Sequence, residues 1–331
     1  MTGKRITDWV RKVKDYIALI LEEDPVRPWS LVRHCIGAAV CNCLYEASIK
    51  DYFEMRFFDL PLAERKNVFT SYHAGRFITH VNGIENTRKI TDKISMYQIL
   101  GRFTKREQLF CPPESYQKLE AFFQRHKTAL YKPSLVYCGT GIELWSIEKS
   151  NMDELYQRSL EQPAILDEPV IQHPDLMRIN PDSVNTVKIF TLLIKNDCLF
   201  VAAQVRMGRR GSCVDNIERG GSAANVDVNT GAIVGDAYDL QRHFYAVHPD
   251  TGVPITGYVL PNWEEVRRFT AECARACPIA YVEWDIAIRE NDCVLIEANS
   301  NARSWGMQME PYHGRKKQFE ELEKLYVSSI S

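Results

Sequence analysis

The chain has 331 residues, 45% hydrophobic and 25% charged, the make-up of one large or two medium globular domains. Lys and Arg number 41 against 43 Asp and Glu, a net charge of −2, so no global field argues for nucleic acid or an anionic membrane. A phosphate-binding function would need a local basic pocket.

In chain order, the first 80 or so residues read as helical. Trp9, Val13, Tyr16, Ile17, Ile20 and Leu21 recur at helical spacing between charged residues, and Pro25 and Pro28 end that pattern. Residues 31–58 form a second, longer pattern whose apolar content predicts a packed helix. Residues 62–79 predict a third, opened by Pro61, and Thr91 caps a fourth that runs through Ile94, Tyr97, Gln98 and Phe103. After Pro113 the texture changes. Residues 114–126 predict a helix, 130–132 and 141–147 strands around a loop holding Gly139 and Gly141, and 151–160 a short helix. From Ala164 strand signals dominate, at 187–194, 198–205, 224–228 and an apolar pair over 281–299. They are broken by one helix over 263–277 and closed by another over 315–326. The expected class is α+β, with a helical N-terminal region over 1–85 and a strand-rich body over 86–331 that divides near residue 166.

Ten cysteines are scattered rather than spaced as a disulfide framework. The opening Met-Thr-Gly-Lys-Arg and the amphipathic stretch behind it do not read as a secretory signal, so a reducing, cytoplasmic setting is expected. Cys41-x-Cys43 with Cys35 and His34 is the one cysteine cluster, weak support for a metal. The apolar run around 36–44 is too short to span a bilayer.

The segment 281–299 carries the strongest chemical signal. Two apolar strands flank the polar turn 289–292. The first holds Asp285 and the second Glu297 and Asn299, which point to one side because strand residues two apart share a face. Pairing brings Asp285 beside them. Two carboxylates and an amide oxygen are hard ligands of the kind Mg²⁺ accepts alongside phosphates. An amphipathic hairpin with solvated acids explains Glu290 and Asp292, but poorly explains an acid directly after Val294-Leu295-Ile296.

Upstream, Lys132 ends a strand and is followed by Ser134 and the loop around Gly139 and Gly141. A lysine beneath such a loop can neutralise triphosphate oxygens while backbone N–H groups approach them, although neither a Walker loop nor a dinucleotide fingerprint is present. Lys188 and Arg206 sit among apolar neighbours on successive strands, where a cation is usually paired with a carboxylate or phosphate. Gly220-Gly221 permits close backbone approach to an anion, or makes a bulge or hairpin turn. Asp167-Glu-Pro-Val170 ends an apolar strand at an acidic turn.

Taken together, these pieces resemble the ATP-grasp superfamily. The order Asp92-Lys93, Lys132, Gln172-His-Pro, Asn185-Thr-Val-Lys188, Arg206-x-Gly208, Val214-Asp-Asn with Gly220-Gly221, Val226-Asp227, His248-Pro-Asp-Thr-Gly252, Trp284-Asp-Ile-Ala and Ile296-Glu-Ala-Asn299 is similar to the sugar-transfer-associated ATP-grasp family. Asn216-Ile-Glu-Arg-Gly-Gly-Ser-Ala223 also resembles a loop of glutamate-ligase-type members. The resemblance implies an ATP-grasp fold, with 86–166 as the small and 167–331 as the large subdomain. It implies Glu168 and Val170 at an adenine hinge, Gln172 at the ribose, and Lys93 with Lys132 on the phosphates. Mg²⁺ would lie on Asp285, Glu297 and Asn299, and Lys188, Arg206 and Arg303 around the transferred group. Lys188 stands where an arginine is usual. Ser300-Asn-Ala-Arg-Ser-Trp-Gly306 replaces a common Pro-Gly turn, and the α/β domain that often precedes the fold is not evident.

The activity so implied is ATP-dependent ligation of a small-molecule carboxylate to an amine through an acyl phosphate, with a uronic acid in surface-polysaccharide biosynthesis as one setting. A small-molecule kinase and a non-catalytic nucleotide-binding scaffold are the alternatives. No nucleic-acid partner is expected, and the oligomeric state is left open.

Overall fold

The computed structural model describes residues 28–90, 93–134, 140–146, 152–302, 305–309, 312 and 314–330. The periodic stretch 9–21 lies outside them. The chain divides into two compact units, Met1–Phe77 with Arg303–Leu325, and Ile78–Ala302 with Tyr326–Ser331.

In the first unit the long helix expected over 31–58 is two. Helix α1 (Pro28–Tyr45) stops, Glu46 takes a positive φ of 54°, and α2 (Ile49–Glu54) starts again. The cause is local. Ser48 caps α2 in a reciprocal box: its hydroxyl accepts from Asp51 N–H at 3.1 Å, and its own N–H donates to Asp51 Oδ2 at 2.8 Å. Asp51 also accepts from Ser71 N–H at 2.9 Å, fixing the start of α4 (Ser71–Asn82). The helix expected over 62–79 is accordingly a short α3 (Leu62–Arg65) followed by α4. Packing is also less complete than expected, since Val32, Ile36, Val40 and Leu44 of α1 are exposed. The core gathers Cys41, Ala47, Tyr52, Phe57 and Val68. The C-terminal helix α11 (Lys316–Ile330) joins this unit by stacking Phe319 on Phe69 at 3.9 Å between ring centres.

Two antiparallel sheets build the second unit. The four-stranded sheet has order β1-β4-β2-β3, from β1 (Gln108–Cys111), β2 (Thr128–Pro133), β3 (Glu143–Ser146) and β4 (Ala164–Asp167). Helices α7 (Tyr116–Arg125) and α8 (Met152–Glu161) supply Leu119, Phe122 and Leu155 to its core, with Tyr131 and Leu166 from the strands. The seven-stranded sheet has order β11-β10-β5-β6-β7-β8-β9. Its strands are β5 (Val187–Ile194), β6 (Asp197–Met207), β7 (Ser222–Val226), β8 (Ile233–Tyr238), β9 (Phe244–Tyr245), β10 (Tyr281–Ile288) and β11 (Cys293–Asn299). Sequence periodicity misses β1, β8, β9 and the short helix α9 (Pro174–Ile179), whose apolar runs are brief.

One face of the large sheet is apolar. Ile189, Val205, Val226, Trp284 and Ile286 pack with Val266, Phe269 and Cys273 of helix α10 (Trp263–Ala276). Its opposite face carries Lys188, Gln204, Arg206, Glu283 and Asp285, the residues that alternate with those core positions. On β11 a bulge sets the alternation. The register shifts between Asp285 and Ile286, so Ile286 pairs with Leu295 whereas Asp285 pairs with Glu297. Without the extra residue, Leu295 and Glu297 would share a face; the bulge sends Leu295 to the core and Glu297 to the polar side. Helices α5 (Ile84–Thr87) and α6 (Lys93–Leu100) lie in the same unit, and α6 buries Met96, Tyr97 and Leu100. Among the described residues no helix is long and apolar enough to cross a membrane.

Candidate active site

Asp285 and Glu297 are direct partners across the β10–β11 ladder, and Glu283 and Asn299 are the next such pair on that face. Cross-strand partners project their side chains to the same side, so four oxygen-bearing groups form a patch. Glu283 was not singled out from the sequence. Its position two before Asp285 is the same alternation signal that placed Glu297 with Asn299.

Lys188 lies across from Asp285 on β5. Its ammonium donates to Glu283 and lies 3.2 Å from Asp285 Oδ1. Arg206, on β6, donates through Nη2 to Asp285 Oδ2 at 2.9 Å and to Thr186 Oγ1 at 2.9 Å, and lies 3.5 Å from Asp215 Oδ1. Asp215 in turn accepts from the Thr186 N–H at 2.9 Å. Asp285 and Glu283 are 2% and 6% exposed, so these charges share a poorly solvated space. Burial would raise the pKa of Asp285, but Arg206 and Lys188 more than offset it and hold the group below its ordinary value. Burial raises Glu283 above its ordinary value against the pull of Lys188, and the Asp285 charge adds to the rise. Burial likewise opposes the charge of Arg206, which Asp215 and Asp285 keep protonated.

Lys93, the first residue of α6, puts Nζ 3.6 Å from Glu297 Oε1. Lys132 is buried and ion-paired to Asp167 of β4. Arg106 holds the same carboxylate through Nε and Nη2, both at 2.8 Å, and its Nη1 donates to the Leu295 carbonyl of β11 at 2.7 Å. One arginine thus ties the small sheet to β11. Burial depresses the pKa of Lys132 and Asp167 counters it, and the Glu297 charge acts in the same direction as Asp167, so Lys132 lies within electrostatic reach of that acid. Neither Arg106 nor Asp167 carries a local sequence signal, because their pairing spans 61 residues.

The remaining sequence-derived positions divide. Glu168 closes a backbone bracket: its N–H donates to the Glu107 carbonyl at 3.0 Å and its Oε2 accepts from the Glu107 N–H at 2.9 Å. Val170 is half-buried and makes no backbone hydrogen bond among the described residues. Gln172 is committed internally, donating to the Asn180 and Ser183 carbonyls at 2.9 and 2.8 Å and accepting from Asn185 at 2.9 and 3.0 Å. A side chain so filled holds its loop together rather than reaching a ribose. Ser134 is likewise used at home, bonding the Pro163 carbonyl through N and Oγ, both at 3.0 Å. Gly220 has φ +87°, and at Gly221 a Cβ would lie 2.4 Å from the Asp215 carbonyl oxygen. The close approach here is to the chain's own Asp215 loop, not directly to an anion. Gly141 takes φ +69° beside Pro133. Gly139 and Arg303 lie outside the described residues. The cysteine cluster does not assemble: Cys35 and Cys43 are exposed, Cys41 is buried, and His34 Nδ1 meets Tyr52 Oη at 3.2 Å.

The donor set fits a small divalent cation. Asp285 Oδ1 is buried with the Lys188 ammonium 3.2 Å away, and that ion pair falls short of a well-aligned hydrogen bond. Carboxylate lone pairs that hydrogen bonds leave unused are what a divalent cation takes up. Among the described residues no group of three or more His, Cys, Asp or Glu forms an all-protein metal cage. Two carboxylates and an amide are the smaller set that Mg²⁺ uses when waters and phosphates complete its shell.

A family profile described as sugar-transfer associated ATP-grasp matches residues 72–324. The chain belongs to that family. The two sheets of the second unit are therefore read as the ATP-grasp fold, preceded by helices. No curated protein matches the chain in sequence. Among solved structures, the ATP-grasp ligase PsnB complexed with minimal precursor is 13% identical, with a TM-score of 0.45 over 83% of this chain and 73% of that one. In a PsnB complex with a phosphomimetic precursor variant, Mg and ADP, this chain spans 62% of the PsnB length. D-alanine–D-alanine ligase from Bacillus anthracis is 10% identical, with a TM-score of 0.44 over 78% and 76%.

Proposed function

We propose that the ATP-grasp unit binds Mg·ATP on the polar face of its large sheet and joins a carboxylate to an amine. The observation that carries this is the direct pairing of Asp285 with Glu297, with Asn299 on the same face. These three residues would hold the ion. When bound, Mg²⁺ neutralises phosphate charge. Lys93 and Lys132 are the cations for the nucleotide phosphates, and Lys188 and Arg206, already gathered at Asp285, face the group being transferred. Glu168 and Val170 form the hinge, where the unpaired Val170 backbone is open to an adenine edge.

In the reaction so read, a substrate carboxylate oxygen attacks the γ-phosphorus and the bond to the β–γ bridging oxygen breaks, releasing ADP. The amine nitrogen then attacks the acyl carbon, phosphate leaves, and the amine proton passes to solvent. No nucleophilic side chain is needed, so the site's work is positioning and charge stabilisation. The family description supports a sugar-linked partner, such as a uronic acid, as one substrate.

Phosphate release from ATP, screened over pairs of acids (uronic acids among them) and amines (amino acids among them), tests the reading. Turnover is expected only with both partners and Mg²⁺. Glu297→Ala should lower it by ~100-fold or more with unchanged unfolding behaviour. Wild-type turnover in that variant would remove the site, and phosphorylation of a hydroxyl compound without any amine would replace the ligase by a kinase.

A further inference from the structure

Helix α10 and the first half of β6 line an open groove of about 470 Å³ on the covered side of the large sheet, with Cys198, Phe200, Glu265, Arg267, Arg268 and Arg275 among its residues. It begins six residues before Arg206 on β6, about 20 Å along the strand from the candidate active site. Nothing in the proposed reaction uses it.

Its three arginines are not equivalent. The guanidinium of Arg268 is neutralised, by Glu265 at 2.7 Å and Glu272 at 2.6 Å. Arg267 and Arg275 are in no ion pair among the described residues. Arg267 lies over the Phe200 ring, 5.0 Å from its centre, and its Nε is buried without an acceptor. Arg275 spends Nε on the Asn196 carbonyl at 3.1 Å. Burial pushes the Cys198 thiol up to about 11, and the charges of Arg275 and Arg267 act against that rise, so both cations lie within electrostatic reach of the groove floor. Glu264 stands exposed at the rim.

We propose that this groove is a second ligand site, which binds the phosphate group of a small phosphorylated molecule between Arg267 and Arg275. Two guanidinium forks without carboxylate partners match the double charge and the several acceptor oxygens of a phosphate monoester better than a carboxylate does. The volume suits a small molecule rather than a macromolecular surface. The aromatic ring beneath Arg267 holds that side chain in place before the ligand arrives.

Calorimetric titration of the full chain with phenyl phosphate and with benzoate tests this. Phenyl phosphate should bind at least ~10-fold more tightly than benzoate. Arg267→Gln and Arg275→Gln should each weaken it ~10-fold or more, whereas Arg268→Gln should stay within ~2-fold of wild type; thermal unfolding of each variant checks that it is folded. Binding should persist in excess Mg·ADP, which separates this site from the proposed nucleotide site. No binding up to ~5 mM would overturn the proposal. So would displacement by Mg·ADP, equal affinity for benzoate, wild-type affinity in either Arg267→Gln or Arg275→Gln, or an equal loss in Arg268→Gln.

Discussion

Arg106 grips Asp167 through two nitrogens at 2.8 Å while a third nitrogen reaches the Leu295 carbonyl on the other sheet. Asp167 has no exposed surface and also pairs with Lys132, so one carboxylate balances two buried cations. Asp167→Asn leaves both uncompensated and should cost about 3–5 kcal/mol, read from urea unfolding. Burial would raise the pKa of Asp167, but Lys132 and Arg106 outweigh it and hold the group far below the ordinary carboxylate value. A depressed folded pKa gives stability that is complete above the unfolded value, ~3.9, and lost as pH falls toward the folded one. Wild-type stability should therefore show no loss from this group between pH 8 and 5, and Asp167→Asn should remove part of the decline in strong acid.

Lys188 sits between Glu283 and Asp285, and Lys188→Met should expose their mutual repulsion. A loss of about 3–5 kcal/mol is expected at pH 8. Glu283 already has a raised folded pKa, and raising it further makes the variant's stability fall as pH climbs through that value. The deficit relative to wild type should therefore shrink between pH 8 and pH 5.5. A deficit that does not vary with pH would show that the two acids do not interact as described.

The first unit depends on Asp51, which accepts from Ser48 and Ser71 and so caps two helices at once. Asp51→Ala should destabilise it by about 2 kcal/mol, and Asp51→Asn by less because an amide oxygen can still accept. Differential scanning calorimetry of the full chain can compare the two.

Gly221→Ala should cost about 1–3 kcal/mol, because the new Cβ meets the Asp215 carbonyl at 2.4 Å. The shift should reach Arg206 through Asp215, so turnover is expected to fall along with stability. Gly220→Ala meets no atom within 4 Å but keeps φ at +87°, and about 1 kcal/mol of strain is expected without a matching loss of turnover. Equal effects on turnover from both would argue against the Asp215 route.

The sequence alone determined what depends on neighbours in the chain. Alternation over 281–288 put Trp284 and Ile286 on one face and Asp285 on the other, and the helix expected over 263–277 formed as α10. The hard-oxygen residues Asp285, Glu297 and Asn299 were legible for the same reason. Tertiary structure decided the rest. The bulge opposite Asp285 sets which face Glu297 takes, and strict alternation cannot register an added residue. The amide of Gln172 looked available until folding supplied Asn180, Ser183 and Asn185 as its partners. Arg106 and Asp167 are 61 residues apart and find each other only when two sheets form. Local periodicity records the face a side chain takes, whereas the partner it meets there is fixed by strands and loops far away in the chain.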